Sequence, residues 1–265
     1  MIVNIHRINR QNCGDMSCSP LDYFSFPDVS QRRCIHNLFH SKEQMSSGQD
    51  LTIFGGGGLF YQNGKCSWER LMERHTARSS APTVVWGAGI NRHSEARSGG
   101  YPSFVSNMSL VGVRDFGLGH RWVPCPSCMH PAFDKEYKVD KQIGVFEHVE
   151  VKLETELPKF RNSSSIEEAL AFLGSCDSVI TNTYHGAYWA TLLGKKVVVV
   201  PVERSSRFYF FKHAPKISEE YTTDFSGANA YKESLTECRD ANVRFYSDCM
   251  DLFMNYAASG ARNIL

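Results

Sequence analysis

The chain has 265 residues, of which 42% are hydrophobic and 22% are charged, a composition typical of a globular protein and unlike that of a disordered one. Its 29 Lys and Arg residues balance 28 Asp and Glu residues, and the net charge of +1 argues against a generally basic nucleic-acid-binding protein. No apolar run approaches the roughly 18 residues of a membrane span. The N-terminal residues show no charged leader before an apolar core, so we expect no secretory signal and a cytoplasmic location.

The first half of the chain alternates short β-branched runs with one helical segment. The predicted elements are a strand over 2–8, a strand over 49–54, a helix over 66–77, a strand over 83–90 and a strand over 110–113. A stretch rich in Pro and Cys follows at 124–131, and its lack of periodicity predicts a linker.

The second half repeats the alternation more regularly. The predicted elements are a strand over 142–146, a helix over 166–173 behind a capping box of Ser165 and Glu168, a strand over 178–181, a helix over 184–193, a strand over 196–200 and a helix over 241–258. Strand–helix–strand units at this spacing predict an α/β fold with parallel sheets.

The length and the linker together favour two Rossmann-like domains that face a cleft. We predict an N-terminal domain over 1–125 and a C-terminal domain over 140–265, with the last helix a candidate to pack back on the N-terminal domain.

Four glycines, Gly55, Gly56, Gly57 and Gly58, follow the second predicted strand. Ligands of parallel sheets bind beyond the carboxyl ends of the strands, and glycines let backbone amides approach an anion closely. We therefore predict that Gly56, Gly57 and Gly58 bind substrate, although a tight turn at a strand end explains the run equally well. Neither phosphate-binding motif fits, because Leu59 and Arg92 stand where the P-loop and the dinucleotide fingerprint need glycine.

A polar segment, Asn182-Thr183-Tyr184-His185, lies between a predicted strand and a predicted helix. This position places His185 in the first turn of the helix, on the ligand side of the sheet. A helix N-terminus attracts anions and disfavours the imidazolium form of His. We interpret His185 as a functional residue, with a purely structural role as the alternative.

Several arginines follow predicted strands, where anionic substrates would meet them. Arg114 is the strongest candidate, because a short strand delivers it together with Asp115. Arg204 and Arg207 follow a central strand at a place where a phosphate could dock. Glu203 beside them fits an ordinary ion-paired loop equally well.

Nine cysteines, an odd number, indicate reduced thiols. Cys125 and Cys128 form the one Cys-x-x-Cys pair, and a structural zinc site usually needs a second close pair. We predict no disulfide and no metal at this pair, with a cluster that includes Cys13 and Cys18 as the alternative.

Five segments in chain order resemble the polysaccharide pyruvyl transferase family. They are Asn12-Cys13-Gly14-Asp15, the glycine-rich strand end at 53–58, TVVWGAGI at 83–90, VGVRD at 111–115 and VITNTYHGAYWATLLGKKVVVVP at 179–201. The resemblance covers most of residues 1–210 and is loosest between 120 and 170.

The resemblance implies a fold of the GT-B type and transfer of a pyruvyl group from phosphoenolpyruvate onto sugar hydroxyls as a cyclic ketal. Arg114 matches a strand-end arginine that binds phosphoenolpyruvate in the family. His185 matches the histidine of an Arg-Leu-His motif, whereas Thr183 and Tyr184 stand where Arg-Leu is common. A second cation is then expected from elsewhere, with Arg204 or Arg207 as candidates.

The chemistry assigns one expected role to each residue. His185 would donate a proton or stabilise the phosphate, and Arg114 would clamp the carboxylate or phosphate. Asp15 and Asp115 are candidate bases, or alternatively turn or cap residues. The expected partners are phosphoenolpyruvate and a sugar or lipid-linked glycan, with no further cofactor, no metal, no nucleic acid, no membrane span and room for peripheral membrane contact.

Two alternatives stay open. One is a glycosyltransferase of the same fold that uses a nucleotide sugar. The other is a non-catalytic carbohydrate-binding protein, which would keep aromatic residues such as Tyr184, Tyr188 and Trp189 but tolerate the loss of His185.

Overall fold

The computed structural model describes residues 1–27, 34–37, 49–61, 67–91, 100–201 and 208–259, with the backbone alone at 34–37 and at Ser67. Arg204 and Arg207, which the sequence analysis proposes as phosphate ligands, lie outside the described residues.

The N-terminal part of the chain forms a seven-stranded parallel sheet. Its strands are β1 (Ile2–His6), β2 (Cys34–Asn37), β3 (Leu51–Phe54), β4 (Gly57–Phe60), β5 (Thr83–Ile90), β6 (Leu110–Val113) and β7 (Arg121–Trp122). The strand order is β2-β1-β3-β5-β6-β7, and β4 also pairs with β5. A short helix α1 (Cys13–Met16) follows β1, and α2 (Ser67–Arg78) precedes β5.

The C-terminal part forms a five-stranded parallel sheet in the order β12-β11-β10-β8-β9. Its strands are β8 (Lys141–Glu147), β9 (Lys159–Arg161), β10 (Cys176–Thr181), β11 (Lys196–Val199) and β12 (Lys216–Ile217), and its helices are α3 (Ile166–Gly174) and α4 (Tyr184–Leu192), followed by the long α5 (Ser234–Ala258). The predicted α/β fold with two parallel sheets is confirmed. Among the described helices, none combines the length and the apolar composition needed to cross a membrane.

The predicted start of α3 is confirmed in atomic detail. The Glu168 N–H donates to Ser165 Oγ at 3.2 Å, and the Ser165 N–H donates to Glu168 Oε2 at 3.1 Å. This capping box satisfies two backbone donors that the helix start would otherwise leave without partners.

The predicted end of a strand at Phe54, before the four glycines, is confirmed, but a second strand, β4, begins inside the glycine run and was not predicted. Both β3 and β4 pair with β5. After the break at Gly55 and Gly56, the backbone therefore resumes its pairing with the same strand. Gly55 has a φ of 142°, and a Cβ atom there would lie 2.0 Å from the carbonyl oxygen of Trp86. Glycine is therefore required at this break because the backbone of β5 passes too close for a side chain.

The segment over 124–131, predicted as a linker, is part of the core. Cys125 is fully buried, and its carbonyl oxygen accepts a hydrogen bond from the Tyr188 hydroxyl at 2.9 Å. The carbonyl oxygen of Pro124 accepts a hydrogen bond from Asn242 Nδ2 at 3.2 Å. Side chains from α4 and α5 thus supply the partners that an irregular segment needs to be buried.

Helix α5 also packs on the first sheet. Asn242 is fully buried, and its Oδ1 accepts a hydrogen bond from Trp86 Nε1 in β5 at 2.8 Å. Phe245 meets the Trp86 ring edge-to-face at a centroid distance of 5.1 Å. The helix starts at Ser234 rather than at residue 241, because its first turns are too polar for the apolar periodicity to mark them.

We expect Asn242→Leu to destabilise the protein by about 2 to 4 kcal/mol, since it leaves the Trp86 N–H and the Pro124 carbonyl buried without partners. Urea denaturation would measure the change in the free energy of unfolding. The control is Asn255→Leu, an exposed asparagine of the same helix, for which we expect a change within about 0.5 kcal/mol. Equal effects of the two substitutions would contradict the structural role of Asn242.

Candidate active site

A cavity of about 310 Å³ lies between the carboxyl ends of the two sheets. From the N-terminal part, its wall includes Arg7, Asn9, Asn12, Asp15, Gly58 and Arg114. From the C-terminal part, it includes His148, Asn162, Asn182, Thr183, Tyr184 and His185. Strand ends of both sheets therefore contribute to one site, as parallel sheets favour.

Of the residues predicted from the sequence, the structure brings seven to this cavity. They are Asp15, Gly58, Arg114, Asn182, Thr183, Tyr184 and His185. Gly56 and Gly57 do not line it, and the Gly56 N–H donates to the carbonyl oxygen of Cys18 at 2.9 Å. Only the last glycine of the run thus reaches the candidate site.

Arg114 follows the last residue of β6 and is 4% exposed. Its guanidinium carbon lies 3.8 Å from the centroid of the Tyr184 ring, a cation–π contact that holds the planar group against the ring face. Gly89 in the neighbouring strand makes room for this side chain, because a Cβ atom at Gly89 would lie 2.3 Å from Arg114 Nε. The strand pair β5–β6 and the ring of Tyr184 together fix the direction of the guanidinium.

Asp115 lies behind Arg114 and does not line the cavity. Its Oδ2 accepts hydrogen bonds from the Ile90 N–H at 2.7 Å and the Tyr101 hydroxyl at 2.6 Å, and its Oδ1 is 4.0 Å from Arg114 Nε. Burial raises the pKa of Asp115, an effect that the Arg114 charge and the two hydrogen bonds oppose. The expectation of Asp115 as a base that touches substrate does not fit this geometry, which instead makes it a positioning residue for Arg114.

His185 lies in the first turn of α4, which Thr183 caps by accepting the Gly186 N–H on its Oγ1 at 2.9 Å. The N-terminal part of the chain encloses the imidazole ring. Gly14 in α1 lies so close that a Cβ atom there would be 2.1 Å from His185 Nδ1, and Cys125 Sγ lies 3.5 Å from His185 Nε2. His185 is 8% exposed and lines the cavity. Gly14 lies next to its Nδ1 and Cys125 lies next to its Nε2, so both ring nitrogens face neighbouring residues.

Asn182 is fully buried, and its carboxamide shapes the loop after β8. Its Oδ1 accepts the His148 N–H at 2.7 Å, and its Nδ2 donates to the carbonyl oxygen of Val151 at 3.0 Å. Because both ends of the carboxamide are engaged, Asn182 supports the cavity wall through the backbone it holds.

Asp15 lies in α1, and the helix is capped by Asn12, whose Oδ1 accepts the N–H groups of Gly14 at 3.0 Å and Asp15 at 3.4 Å. The Asp15 carboxylate lies 3.4 Å from Arg7 Nε. The Asp15 carboxylate and the Arg7 guanidinium therefore lie together at the cavity wall. This position is compatible with Asp15 as a base and with Asp15 as a turn or cap residue.

Four asparagines that line the cavity were not predicted as site residues from the sequence: Asn9, Asn12, Asn91 and Asn162. Asn9 and Asn162, like Asn12, turn their Oδ1 atoms toward backbone N–H groups, those of Gln11 at 3.1 Å and Val149 at 2.9 Å. Within the described part of the chain, the Nδ2 groups of Asn9, Asn12 and Asn162 make no hydrogen bond, so the wall offers N–H donors. The signal in the sequence was asparagine in loops that follow β1, β5 and β9.

The described cysteines are buried free thiols, including Cys125 and Cys128. No group of three or more His, Cys, Asp and Glu residues that could hold a metal ion occurs in the residues the structure describes. Cys66 and the side chain of Cys34 lie outside the described residues.

Comparison with known proteins gives one family match. The model of the polysaccharide pyruvyl transferase family matches residues 129–204. No curated protein matches the chain. A solved structure described as a functional uncharacterized protein from Klebsiella pneumoniae subsp. pneumoniae NTUH-K2044 aligns with a TM-score of 0.49 at 16% identity, covering 76% of this chain and 83% of that one. The resemblance to the polysaccharide pyruvyl transferase family is therefore confirmed over residues 129–204, the segment that contains α4 and His185.

Proposed function

We propose that the protein is a transferase that moves the pyruvyl group of phosphoenolpyruvate onto hydroxyls of a polysaccharide or glycan precursor and forms a pyruvate ketal. The observation that carries the proposal is the buried guanidinium of Arg114, held against Tyr184 at the wall of a cavity that also contains His185. The family match over residues 129–204 supports the same reaction class.

The polar groups of the wall suit an anionic donor. Phosphoenolpyruvate presents carboxylate and phosphate oxygens, which accept hydrogen bonds and prefer guanidinium and N–H donors. Arg114 supplies the guanidinium, and the Nδ2 groups of Asn12 and Asn162 supply neutral donors. The Cys13 N–H donates to the Asn162 carbonyl oxygen at 2.8 Å, which keeps these two asparagine loops together.

The reaction divides among these residues as follows. His185 donates a proton to the methylene carbon of phosphoenolpyruvate, which creates positive character at C2, and a sugar hydroxyl attacks there while Asp15 accepts its proton. Arg114 stabilises the carboxylate and the departing phosphate. A second hydroxyl then displaces the phosphate at C2 and closes the ketal, and its proton leaves with the phosphate as hydrogen phosphate. Phosphoenolpyruvate is the only donor that this sequence of steps consumes.

The proposed acceptor is a sugar or a lipid-linked glycan, and the proposed location is the cytoplasm. A lipid-linked acceptor would bring the protein to the membrane surface. The rival function is a glycosyltransferase of the same fold that takes a nucleotide sugar. The two are separated by the donor that the cavity binds.

We expect phosphoenolpyruvate to raise the melting temperature of the protein, because a ligand that binds the native state at 100 times its Kd stabilises it by about 2.7 kcal/mol. Arg114→Lys should lose most of this shift, since an ammonium cannot hold a carboxylate or phosphate as a bidentate fork. The control is Arg74→Lys, an exposed arginine of α2 outside the cavity, which should keep the full shift. A shift with nucleotide sugars and none with phosphoenolpyruvate would favour the glycosyltransferase instead.

We expect His185→Gln to lower kcat on the order of 100-fold, as loss of a positioned proton donor does. The donor-induced melting shift should persist, because Arg114 and the asparagine donors remain. Release of phosphate with a sugar acceptor and the appearance of the ketal methyl group in NMR spectra would measure turnover. His75→Gln, a partly buried histidine of α2 outside the cavity, is the control. Turnover of His185→Gln equal to that of the control would remove His185 from the mechanism.

A further inference from the structure

A buried hydrogen-bond chain runs from α4 through the 124–131 segment and back to His185. Trp189 Nε1 donates to Ser127 Oγ at 3.0 Å, Ser127 Oγ lies 3.2 Å from Cys125 Sγ, and Cys125 Sγ lies 3.5 Å from His185 Nε2. Trp189, Ser127 and Cys125 are fully buried. Because water does not reach these side chains, their hydrogen-bond partners must be other groups of the protein.

The direction of the chain follows from the chemistry of its first member. The indole N–H can only donate, so Ser127 Oγ accepts from Trp189. Ser127 must then place its own proton on an acceptor, and within the described residues the acceptor in reach of Oγ is Cys125 Sγ. Once Cys125 accepts from Ser127, its S–H has His185 Nε2 as its partner. The opposite direction would leave the buried Ser127 hydroxyl without an acceptor, which is costly.

We propose that Cys125 is a positioning residue whose S–H donates to His185 Nε2 and thereby holds the neutral imidazole with its proton on Nδ1. A neutral imidazole has one donor and one acceptor nitrogen, so a donor at Nε2 fixes the proton at the other nitrogen. Burial raises the pKa of the Cys125 thiol, against the opposing effect of its bond with Ser127, and this keeps the S–H available.

The ring is fixed in position as well as in tautomer. The His185 ring packs on the Trp189 ring at a centroid distance of 5.1 Å. Trp189, which starts the hydrogen-bond series, therefore also contacts His185, which ends it. Nδ1 lies on the side of Gly14 in α1, the helix that carries Asp15. The tautomer stands on the hydrogen-bond chain alone. Its consequence, that the ring N–H directed at phosphoenolpyruvate is that of Nδ1, rests on the proposed function.

The test is nitrogen-15 NMR of the full chain labelled at histidine, with the His185 signals assigned by their loss in His185→Gln. Wild-type protein above the imidazole pKa should show His185 protonated at Nδ1. Cys125→Ser keeps a donor and should keep this tautomer, whereas Cys125→Ala removes the donor and should yield a mixture of tautomers. Cys249→Ala removes a buried thiol from the core between α5 and the first sheet, and should leave the His185 signals unchanged.

The wild-type spectrum alone decides the tautomer, whether or not Cys125→Ala folds. A proton on Nε2 would overturn the proposal, and so would protonation of both nitrogens, which would reveal a thiolate–imidazolium pair. An unchanged Nδ1 tautomer in folded Cys125→Ala would also overturn it. With phosphoenolpyruvate and an acceptor, Cys125→Ala should lose kcat on the order of tenfold at constant KM, as loss of a group that orients a functional histidine does, and Cys125→Ser should restore it. An Nδ1 tautomer in a protein that does not turn over phosphoenolpyruvate would uphold Cys125 and refute the transfer reaction.

Discussion

The guanidinium of Arg114 extends from the carboxyl end of the first sheet and rests on the ring of Tyr184, which opens the helix α4 beside the second sheet. This contact ties the two halves of the cavity wall together through one charged group. The ring is itself supported, because Tyr184 stacks on Phe211 at a centroid distance of 4.8 Å. A change in the relative position of the sheets would therefore move the guanidinium away from the ring and reshape the cavity.

A buried guanidinium is tolerated only where its charge is countered. Asp115 provides the counter-charge from one side, and Tyr101 and the Ile90 backbone hold that carboxylate in place. The pairing lies behind Arg114, away from the cavity. The adjacent residues of one strand end thus supply both the cation of the site and the acid that allows the cation to be buried, which explains why Arg and Asp follow β6 consecutively.

Local patterns in the sequence were sufficient for the elements that carry strong periodicity. The capping box at Ser165 and the buried run of β5 were predicted because their signals lie within a few residues. The strands β7, β9 and β12 were missed because two or three residues are too few to show a period. The four-residue strands β2 and β4 were missed because two of the residues in each are polar or glycine, whereas β3, β6 and β11 are mostly apolar. The position of α5 against Trp86 depends on contacts distant in sequence, which no local pattern encodes.

The candidate site shows the same division. His185 and Arg114 could be predicted because both follow strands, and strand ends of parallel sheets meet ligands. The position of Asp115 behind Arg114 could not be predicted, because the sequence does not show whether an acidic residue after an arginine faces the cavity or the core. The burial of the 124–131 segment could not be predicted from the sequence either, because its hydrogen-bond partners Tyr188 and Asn242 are distant from it in sequence.

The departure from the family motif at Thr183 and Tyr184 has a physical consequence for the cavity. Thr183 turns its hydroxyl toward the Gly186 N–H as the helix cap, a position in which it extends no cation into the site. Tyr184 supplies the aromatic face that fixes Arg114. A restrained guanidinium loses less side-chain entropy when an anion binds than a mobile one does, which favours binding without any added contact. Among the described residues of the wall, Arg7 and the neutral N–H donors of Asn12 and Asn162 are then further groups that can meet the rest of the anion, beside a guanidinium of Arg114 that Tyr184 holds in place.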